Sequence, residues 1–385
     1  MLSGVSYWIL IAVFAGATVA VVVAGVRVAR TADTLADRTN LGEVIAGALF
    51  VGASTSLPGA ITSVSTAAQG FPSLAVGNAL GGLTAQTAFL VIADIAYRRA
   101  NLEHAAASAT GLTQGVLLVV LLSLPLIASV QPAYTIWGVH PVSILTVLAY
   151  AAGLRLLRDV SNEPMWKPVQ TSETREEVSS VSDAEARRSM SGLWTEFAIA
   201  AAVTALAGYV VGQVGIELVN RSGISATLVG TALLAVVNSL PELVTAIAAV
   251  RIGAVSLAVG DVIGGNAFEV LFLSAADVVS EGSIYAAFTW QDQATALFAM
   301  LMTGVLLLGL IRRERCGFGA SVSKARWFSS SMRFRSGSFF SDPVHLAQKA
   351  GNAAGPSDKL RREQLPTCGV GKVMPYGRNS SQSKR

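Results

Sequence analysis

"TSLPGAITS" at residues 55–63 and "NSLPELVTA" at residues 238–246 are the same motif met twice, each set in the middle of an apolar stretch. Working outward from them, residues 47–94 and 230–277 align without a gap at an offset of 183, with 17 identities in 48 positions. The same offset pairs "SLAVGNALGG" at 73–82 with "SLAVGDVIGG" at 256–265. The chain therefore carries an internal repeat. Each copy places polar residues around a proline inside hydrocarbon-like sequence, and repeated, interrupted helices of this kind are where secondary transporters hold their substrates.

Composition sets the class. Of 385 residues, 52% are hydrophobic and 14% charged, against about 25% charged in a typical soluble domain. Apolar stretches long enough to cross about 30 Å of hydrocarbon lie near 5–28, 43–68, 73–97, 111–129, 133–157, 193–219, 224–250, 254–279 and 293–311. The first is too long for a signal peptide, lacks a basic start and closes on no cleavage site, so it is expected to be a retained helix. Cys316 and Cys368 both follow the last stretch, which supports neither a disulfide framework nor a thiolate metal site. His104, His140 and His345 stand at no ligand spacing and read as interfacial residues. No P-loop, nucleophile elbow or dinucleotide fingerprint appears, so enzymatic function is not expected.

Basic residues collect in alternate loops: Arg27, Arg30 and Arg38, then Arg98 and Arg99, the long polar loop after the fifth span, Arg251, and Arg312, Arg313 and Arg315. The positive-inside rule places those loops in the cytoplasm and the N-terminus outside. Residues 158–192, with "SETREEVSSVSDAEARR", read as a solvated cytoplasmic linker between two halves. An odd number of spans per half makes the second copy enter the membrane from the opposite side, so the repeats are inverted about a pseudo-two-fold axis in the membrane plane.

Five spans before the linker call for five after it, and the tenth should fall near 316–340. That segment reads "CGFGASVSKARWFSSSMRFRSGSFF", and each Lys or Arg at a helix centre costs about 2.5–3.5 kcal/mol to insert. From residue 312 onward the chain has 15 Lys and Arg against 4 Asp and Glu, whereas residues 1–311 have 13 against 20. The tenth helix is thus expected to be missing. Two readings stand for residues 312–385: a departure from the ancestral reading frame after Arg315 that leaves a disordered basic tail, or a cytoplasmic tail that contacts anionic lipid. Neither involves nucleic acid.

The chemistry concentrates at the repeat. Pro58 and Pro241 sit mid-span, where proline interrupts the helical hydrogen-bond ladder and leaves carbonyl oxygens for hard cations. Thr55, Ser56 and Thr62 surround the first, and Asn238, Ser239, Glu242 and Thr245 the second. Hydroxyls of this kind also bind membrane helices to one another, and both readings stand for them. Glu242 and Asp261 are different, because an ionised carboxylate at mid-membrane persists where it meets a cavity, a partner or an ion. Neither copy has a basic residue near mid-span to pair with them. The positional partner of Asp261 is Asn78, which adds an amide oxygen. An all-oxygen set with no nitrogen or sulfur suits sodium or calcium. Glu43, Asp94 and Asp277 lie at span ends, the last two about 24 Å from Asn78 and Asp261 at about 1.5 Å per residue, and read as caps.

"TSLP", "NSLPELVTA", "GNALGG" and "GDVIGGNAFE" resemble the alpha repeats of the sodium/calcium exchanger family, within the cation/calcium exchangers, over residues 1–311. The resemblance implies sodium and calcium as substrates bound in alternation, with no cofactor. Carried over residue by residue, it implies ion contacts from Thr55, Ser56, Asn78, Ser239, Glu242 and Asp261, with Asn238 replacing the usual threonine. One departure stands out: Gly59 occupies the position of the acid that matches Glu242, which leaves at most two strong negative charges instead of three. Glu269, paired with Gln86 by the offset, either compensates or is a polar vestibule residue.

The expected architecture is an all-α polytopic membrane protein of two inverted-topology repeats of five transmembrane helices, the tenth missing. Residues 1–157 form the first repeat, 158–192 the linker, 193–311 the second repeat and 312–385 the tail. The expected function is exchange of sodium for calcium across the cell membrane. Sodium/proton or other monovalent exchange and a transport-inactive remnant are the alternatives.

Overall fold

The computed structural model describes residues 4–39, 52–97, 101–132, 134–169 and 188–314. Glu43, the start of the second span, most of the linker, both cysteines, His345 and the expected place of the tenth helix lie outside the described residues.

Among the described residues, helix dominates. The first repeat runs α1 (Tyr7–Thr39), α2 (Gly52–Thr55), α3 (Leu57–Ala68), α4 (Pro72–Ala96), α5 (Leu102–Ala105), α6 (Ala109–Ser129) and α7 (Pro141–Asn162). The second runs α8 (Met190–Ser222), α9 (Ala226–Leu228), a π-helical segment Val229–Leu234, α10 (Ala235–Asn238), α11 (Leu240–Ile252), α12 (Val255–Val279), a 3₁₀ turn Ile284–Ala287 and α13 (Trp290–Arg312). The offset of 183, read from 48 positions, extends to helix boundaries well outside them. It carries both ends of α1 onto those of α8, α2 onto α10, and both ends of α4 onto those of α12.

Among the described residues seven helices are long and apolar enough to cross a membrane, and Ala226–Asn238 with Leu240–Ile252 is a further apolar pair bent by 42°. The outward stripes, such as Ile9, Val19, Leu297, Leu301, Val305 and Leu308, are exposed aliphatic side chains, as lipid contact requires. Within such a span the backbone bonds itself, so lipid meets no unpaired peptide group. α4 and α12 are instead the most enclosed spans, and their Gly-rich first halves let them sit at the centre of the bundle. A large apolar cluster joins them to α6 and α13 through Leu80, Leu118, Leu121, Ile263, Ala299 and Leu310, and a smaller one ties α1 to α8 through Val21 and Val211.

The two halves interlock by a contact made twice. A Cβ on Gly25 of α1 would fall 2.6 Å from Pro241 Cγ, and one on Gly208 of α8 would fall 2.5 Å from the carbonyl oxygen of Pro58. Gly208 is Gly25 plus 183, and Pro241 is Pro58 plus 183. Each repeat's long first helix thus lies against the proline of the other repeat, and only glycine permits that approach.

The fifth span starts and ends later than the sequence suggests, and the first, expected over 5–28, runs on to Thr39. The run near 133–157 becomes a helix only at Pro141 and continues through Asn162, five residues into the expected linker. Ahead of it Trp137 and Gly138 adopt positive φ, 54° and 85°, and Ile136 and Val139 form an isolated bridge. Gly138 allows a left-handed turn, Pro141 sets the first helical turn and the His140 ring caps it by accepting from Val142 N at 3.1 Å. At the other boundary α8 begins at Met190, three residues before the expected second repeat. Asp94 and Asp277 serve as caps. Asp94 accepts from Leu102 N at 2.7 Å, and Asp277 accepts from His140 N and Ser143 Oγ at 2.7 Å and from Ile284 N at 2.9 Å. His104 and His140 are both buried.

Candidate functional site

Each copy of the motif breaks its helix at the serine before Leu-Pro. Ser56 (φ −82°, ψ 4°) separates α2 from α3, and Ser239 (φ −93°, ψ 1°) separates α10 from α11. Both serines sit in the same sparsely populated bridge conformation. The prolines fall in the first turn of the following helix, where a missing N–H removes no intrahelical bond. The result is two buried helix junctions, one per repeat, that face each other across the bundle.

The junctions meet in two contacts. Ser56 Oγ of the first repeat donates to Glu242 Oε1 of the second at 3.4 Å, and the neighbouring Thr55 hydroxyl donates to the Gly52 carbonyl at 3.0 Å. Asn238 Nδ2 of the second repeat donates to Asn78 Oδ1 at 2.9 Å and to Thr62 Oγ1 at 3.0 Å, both of the first. Thr55, Ser56, Asn78, Asn238, Ser239 and Glu242 are all buried. The structure therefore gathers six of the seven residues singled out from sequence at one place. The seventh, Asp261, is partly exposed and lies within electrostatic reach of Glu242 and of Asp33 on α1.

The two sides of this site are chemically unlike. On the first-repeat side the polar groups satisfy one another: Asn78 Nδ2 donates to the Gly59 carbonyl at 3.0 Å and to Ser63 Oγ at 2.8 Å. Thr62 Oγ1 donates to the Gly208 carbonyl at 2.7 Å and the Pro58 carbonyl at 2.8 Å. On the second-repeat side Ser239 Oγ, Asn238 Oδ1 and Glu242 Oε2 are buried without a hydrogen-bond partner. Orphaned buried oxygens are costly, and a row of acceptors facing no donor is the arrangement a hard cation relieves. The ion pairs Arg188–Glu196, Arg221–Glu217 and Arg312–Glu314 lie near helix ends, away from the junctions. Among the described residues no three of His, Cys, Asp and Glu gather as a metal-holding group.

The space beside Gly59 is filled. A Cβ there would meet Phe272 Cε2 at 3.1 Å and Asn238 Cβ at 3.8 Å, so the ring of Phe272 on α12 closes the place an acid would enter. Several residues of this neighbourhood were not singled out as site residues from sequence. Ser63 and Asn266 lie within the quoted motifs, but the repeat offset pairs them with the apolar Ala246 and Leu83 and so does not mark them. Glu269 is 4% exposed and accepts from Gln86 Nε2 at 2.5 Å, which makes it a buried central residue and not a vestibule residue. The repeat offset pairs these two numbers and was the signal that could have located them.

Comparison with known proteins follows the same lines. The family model described as sodium/calcium exchanger protein matches residues 9–157 and 192–334, so the match continues past the last described helix. CaxA of Alkalimonas amylolytica, which carries a provisional antiporter designation, is 33% identical over 103 residues, covering 26% of this chain and 32% of CaxA. The matched segment thus spans about a third of that relative. Two solved structures share the fold. The sodium-calcium exchanger NCX_Mj, soaked with Na+ and Sr2+, has a TM-score of 0.53 at 16% identity, over 87% of this chain and 100% of that one. The H+/Ca2+ exchanger CAX has a TM-score of 0.56 at 14% identity, over 84% of this chain and 87% of that one.

Proposed function

The chain belongs to the sodium/calcium exchanger protein family, a family of multi-pass membrane transporters and not of enzymes, and on that ground we propose that it is a cation antiporter that moves calcium against sodium. The single observation that carries this reading is Glu242. Its carboxylate is 3% exposed, stands at a helix junction in mid-membrane, takes the Ser56 hydroxyl of the opposite repeat on one oxygen and leaves the other without a partner. A bare carboxylate there costs several kcal/mol on any scale, roughly 2.5 kcal/mol or more, and a transported cation supplies the missing charge.

In this reading Glu242 and Asp261 are the charged ion ligands, with Thr55, Ser56 and Ser239 contributing hydroxyl oxygens. Asn238 and Asn78 bridge the repeats and hold the junctions in register. Asp261, partly exposed, is the acid that an entering ion meets first. Release of one ion without replacement would leave Glu242 uncompensated in the bundle, so the empty carrier is slow to reorient and exchange is favoured over leak. Pseudo-symmetric repeats supply the two access states, because rocking one against the other opens the same site to either side. Sodium and calcium are substrates here, and no further cofactor is invoked. The N-terminus is placed outside and the linker and basic tail in the cytoplasm on the distribution of Arg and Lys, with anionic lipid as the tail's partner.

A second reading, exchange of protons for calcium, is favoured by one observation: Gly59 removes a carboxylate, and a site with fewer fixed charges needs fewer sodium ions to neutralise it. The test separates the two. Purified chain in proteoliposomes is loaded with sodium at equal pH and diluted into sodium-free buffer containing radioactive calcium, alongside sodium-free vesicles loaded at acid pH. Calcium uptake driven by the sodium gradient supports the first reading, uptake driven only by the proton gradient supports the second, and uptake in neither overturns calcium exchange.

A further inference from the structure

Apart from the junctions, a cleft of about 680 Å3 opens between α1 and α8, within the roughly 300–1,000 Å3 of small-ligand sites. One part of its wall is apolar, from Ala20, Val23 and Ala24 of α1 with Ile199 and Val203 of α8. The other part is polar, from Arg27 of α1 with Ser191, Thr195 and Glu196 of α8. The two helices run antiparallel: Arg221 near the end of α8 stacks over the Tyr7 ring at the start of α1, and Arg38 near the end of α1 donates to the Arg188 carbonyl just before α8. The change from apolar to polar comes toward the end of α1 and toward the start of α8, so both polar parts stand at one level. Chain-like wall below and polar wall above is the profile of a phospholipid.

Depth agrees with that occupant. Tyr7 and Trp8 are exposed at the start of α1, as aromatic residues are at a membrane interface. Arg27 follows Tyr7 by 20 residues, about 30 Å along a helix, which is the thickness of the hydrocarbon. Trp194, also exposed, marks the same interface on α8. Charge narrows the class. Glu196 is held by Arg188, so that pair sums to zero. The Arg27 guanidinium has no ion pair or hydrogen-bond partner among the described residues, and one positive charge is left over at the edge of the hydrocarbon. Thr195 Oγ1 donates to the Ser191 carbonyl at 2.8 Å, which leaves its lone pairs for a donor from outside.

We infer that this cleft seats one phospholipid of the adjoining leaflet, with a single net negative charge and a hydroxyl-bearing headgroup, as in phosphatidylglycerol. Arg27 takes the phosphate, which a planar guanidinium meets with two parallel donors. Thr195 and Glu196 accept from the headgroup hydroxyls, and one acyl chain lies along Val23, Ile199 and Val203. A zwitterionic lipid would bring an ammonium whose only carboxylate, Glu196, already serves Arg188. The seated lipid bridges the two helices whose Gly25 and Gly208 lie against the prolines of the opposite repeats, and so stabilises their contact. This seat depends on the chain crossing a membrane and on no particular ion being exchanged.

The test is native mass spectrometry of the full chain in detergent, titrated with phosphatidylglycerol or with phosphatidylcholine of the same chain length, with thermal unfolding followed in the same series. One phosphatidylglycerol per chain is expected to bind about fivefold more tightly than phosphatidylcholine, the effect of one cation beside anionic lipid, and to raise the unfolding temperature. Arg27→Gln is expected to erase the preference and Arg27→Lys to keep part of it. Arg30→Gln, on the same helix and outside the cleft wall, is expected to leave it unchanged. Val23→Trp, which fills the apolar part, is expected to lower retention of both lipids. Equal affinity for the two lipids, or a preference that survives Arg27→Gln, would overturn the inference. So would displacement of the lipid by millimolar inorganic phosphate, which would make the cleft a site for free anions, or a lipid-free dimer broken by Val23→Trp, which would assign the cleft to a second copy of the chain.

Discussion

The two repeats fold alike and are charged unlike. Helix boundaries match at one offset from α1 and α8 through α4 and α12, and even the glycine-on-proline contact recurs at Gly25–Pro241 and Gly208–Pro58. Yet three acids of the second repeat stand at positions that are neutral in the first: Gly59 for Glu242, Asn78 for Asp261, Gln86 for Glu269. The first repeat's polar groups close on themselves, with Asn78 bonded to the Gly59 carbonyl and Ser63, while the second keeps unpartnered oxygens at Ser239, Glu242 and Glu269. Backbone symmetry is what lets the site open to either side, and it constrains geometry only. Charge is free to drift to one half provided the two halves meet, and here they meet through Ser56–Glu242 and Asn78–Asn238.

The largest test of this asymmetry is to erase it. Asp261→Asn makes the second repeat copy Asn78, and calcium uptake is expected to fall on the order of a hundredfold, about 2.8 kcal/mol. Asn78→Asp in that background returns the acid on the other side of the axis and is expected to recover part of the loss. Uptake that is indifferent to Asp261 would show that the partly exposed acid takes no part.

Gly59→Glu restores balance from the first repeat. Calcium binding is expected to tighten by roughly tenfold, about 1.4 kcal/mol, by isothermal titration. Phe272 stands 3.1 Å from the new Cβ, so the gain should be larger when Phe272→Leu accompanies it. A gain that Phe272→Leu diminishes would contradict the packing described.

Ser56→Ala removes a first-repeat donor to Glu242. At 3.4 Å this is a long bond, and a weakening of calcium binding by roughly fivefold, about 1 kcal/mol, is expected. The same titration checks it. The smallest expected effect is the difference in stability between two glycine variants. Gly208→Ala drives a Cβ into the Pro58 backbone, whereas Gly25→Ala meets the ring carbons of Pro241. Overpacking costs about 1–3 kcal/mol, and thermal unfolding in detergent should place Gly208→Ala lower than Gly25→Ala.

Much of this was legible in the sequence, because an offset of 183 is a statement about three-dimensional equivalence. It located both junctions, and six of the seven residues read from the motifs share one buried site. What the motif could not show is which polar groups satisfy each other across the axis. Asn78 and Asn238 look like oxygen ligands in sequence, but the amide nitrogen of Asn78 donates to the Gly59 carbonyl and Ser63, and that of Asn238 donates to Thr62 and to the amide oxygen of Asn78. The Phe272 ring beside Gly59 comes from a helix more than 200 residues away, and no local pattern announces it. The late start of α7 was hidden because an interfacial turn around Trp137 is as apolar as a span.

The most direct measurement is calcium uptake into vesicles by Glu242→Gln, a substitution that keeps the size and the Ser56 contact but removes the charge, with detergent monodispersity and thermal unfolding followed in parallel. Uptake lost in a chain that unfolds at or above the temperature of the unsubstituted protein is the expected result. Uptake retained at the unsubstituted rate would contradict the placement of the transported ion at the paired helix junctions.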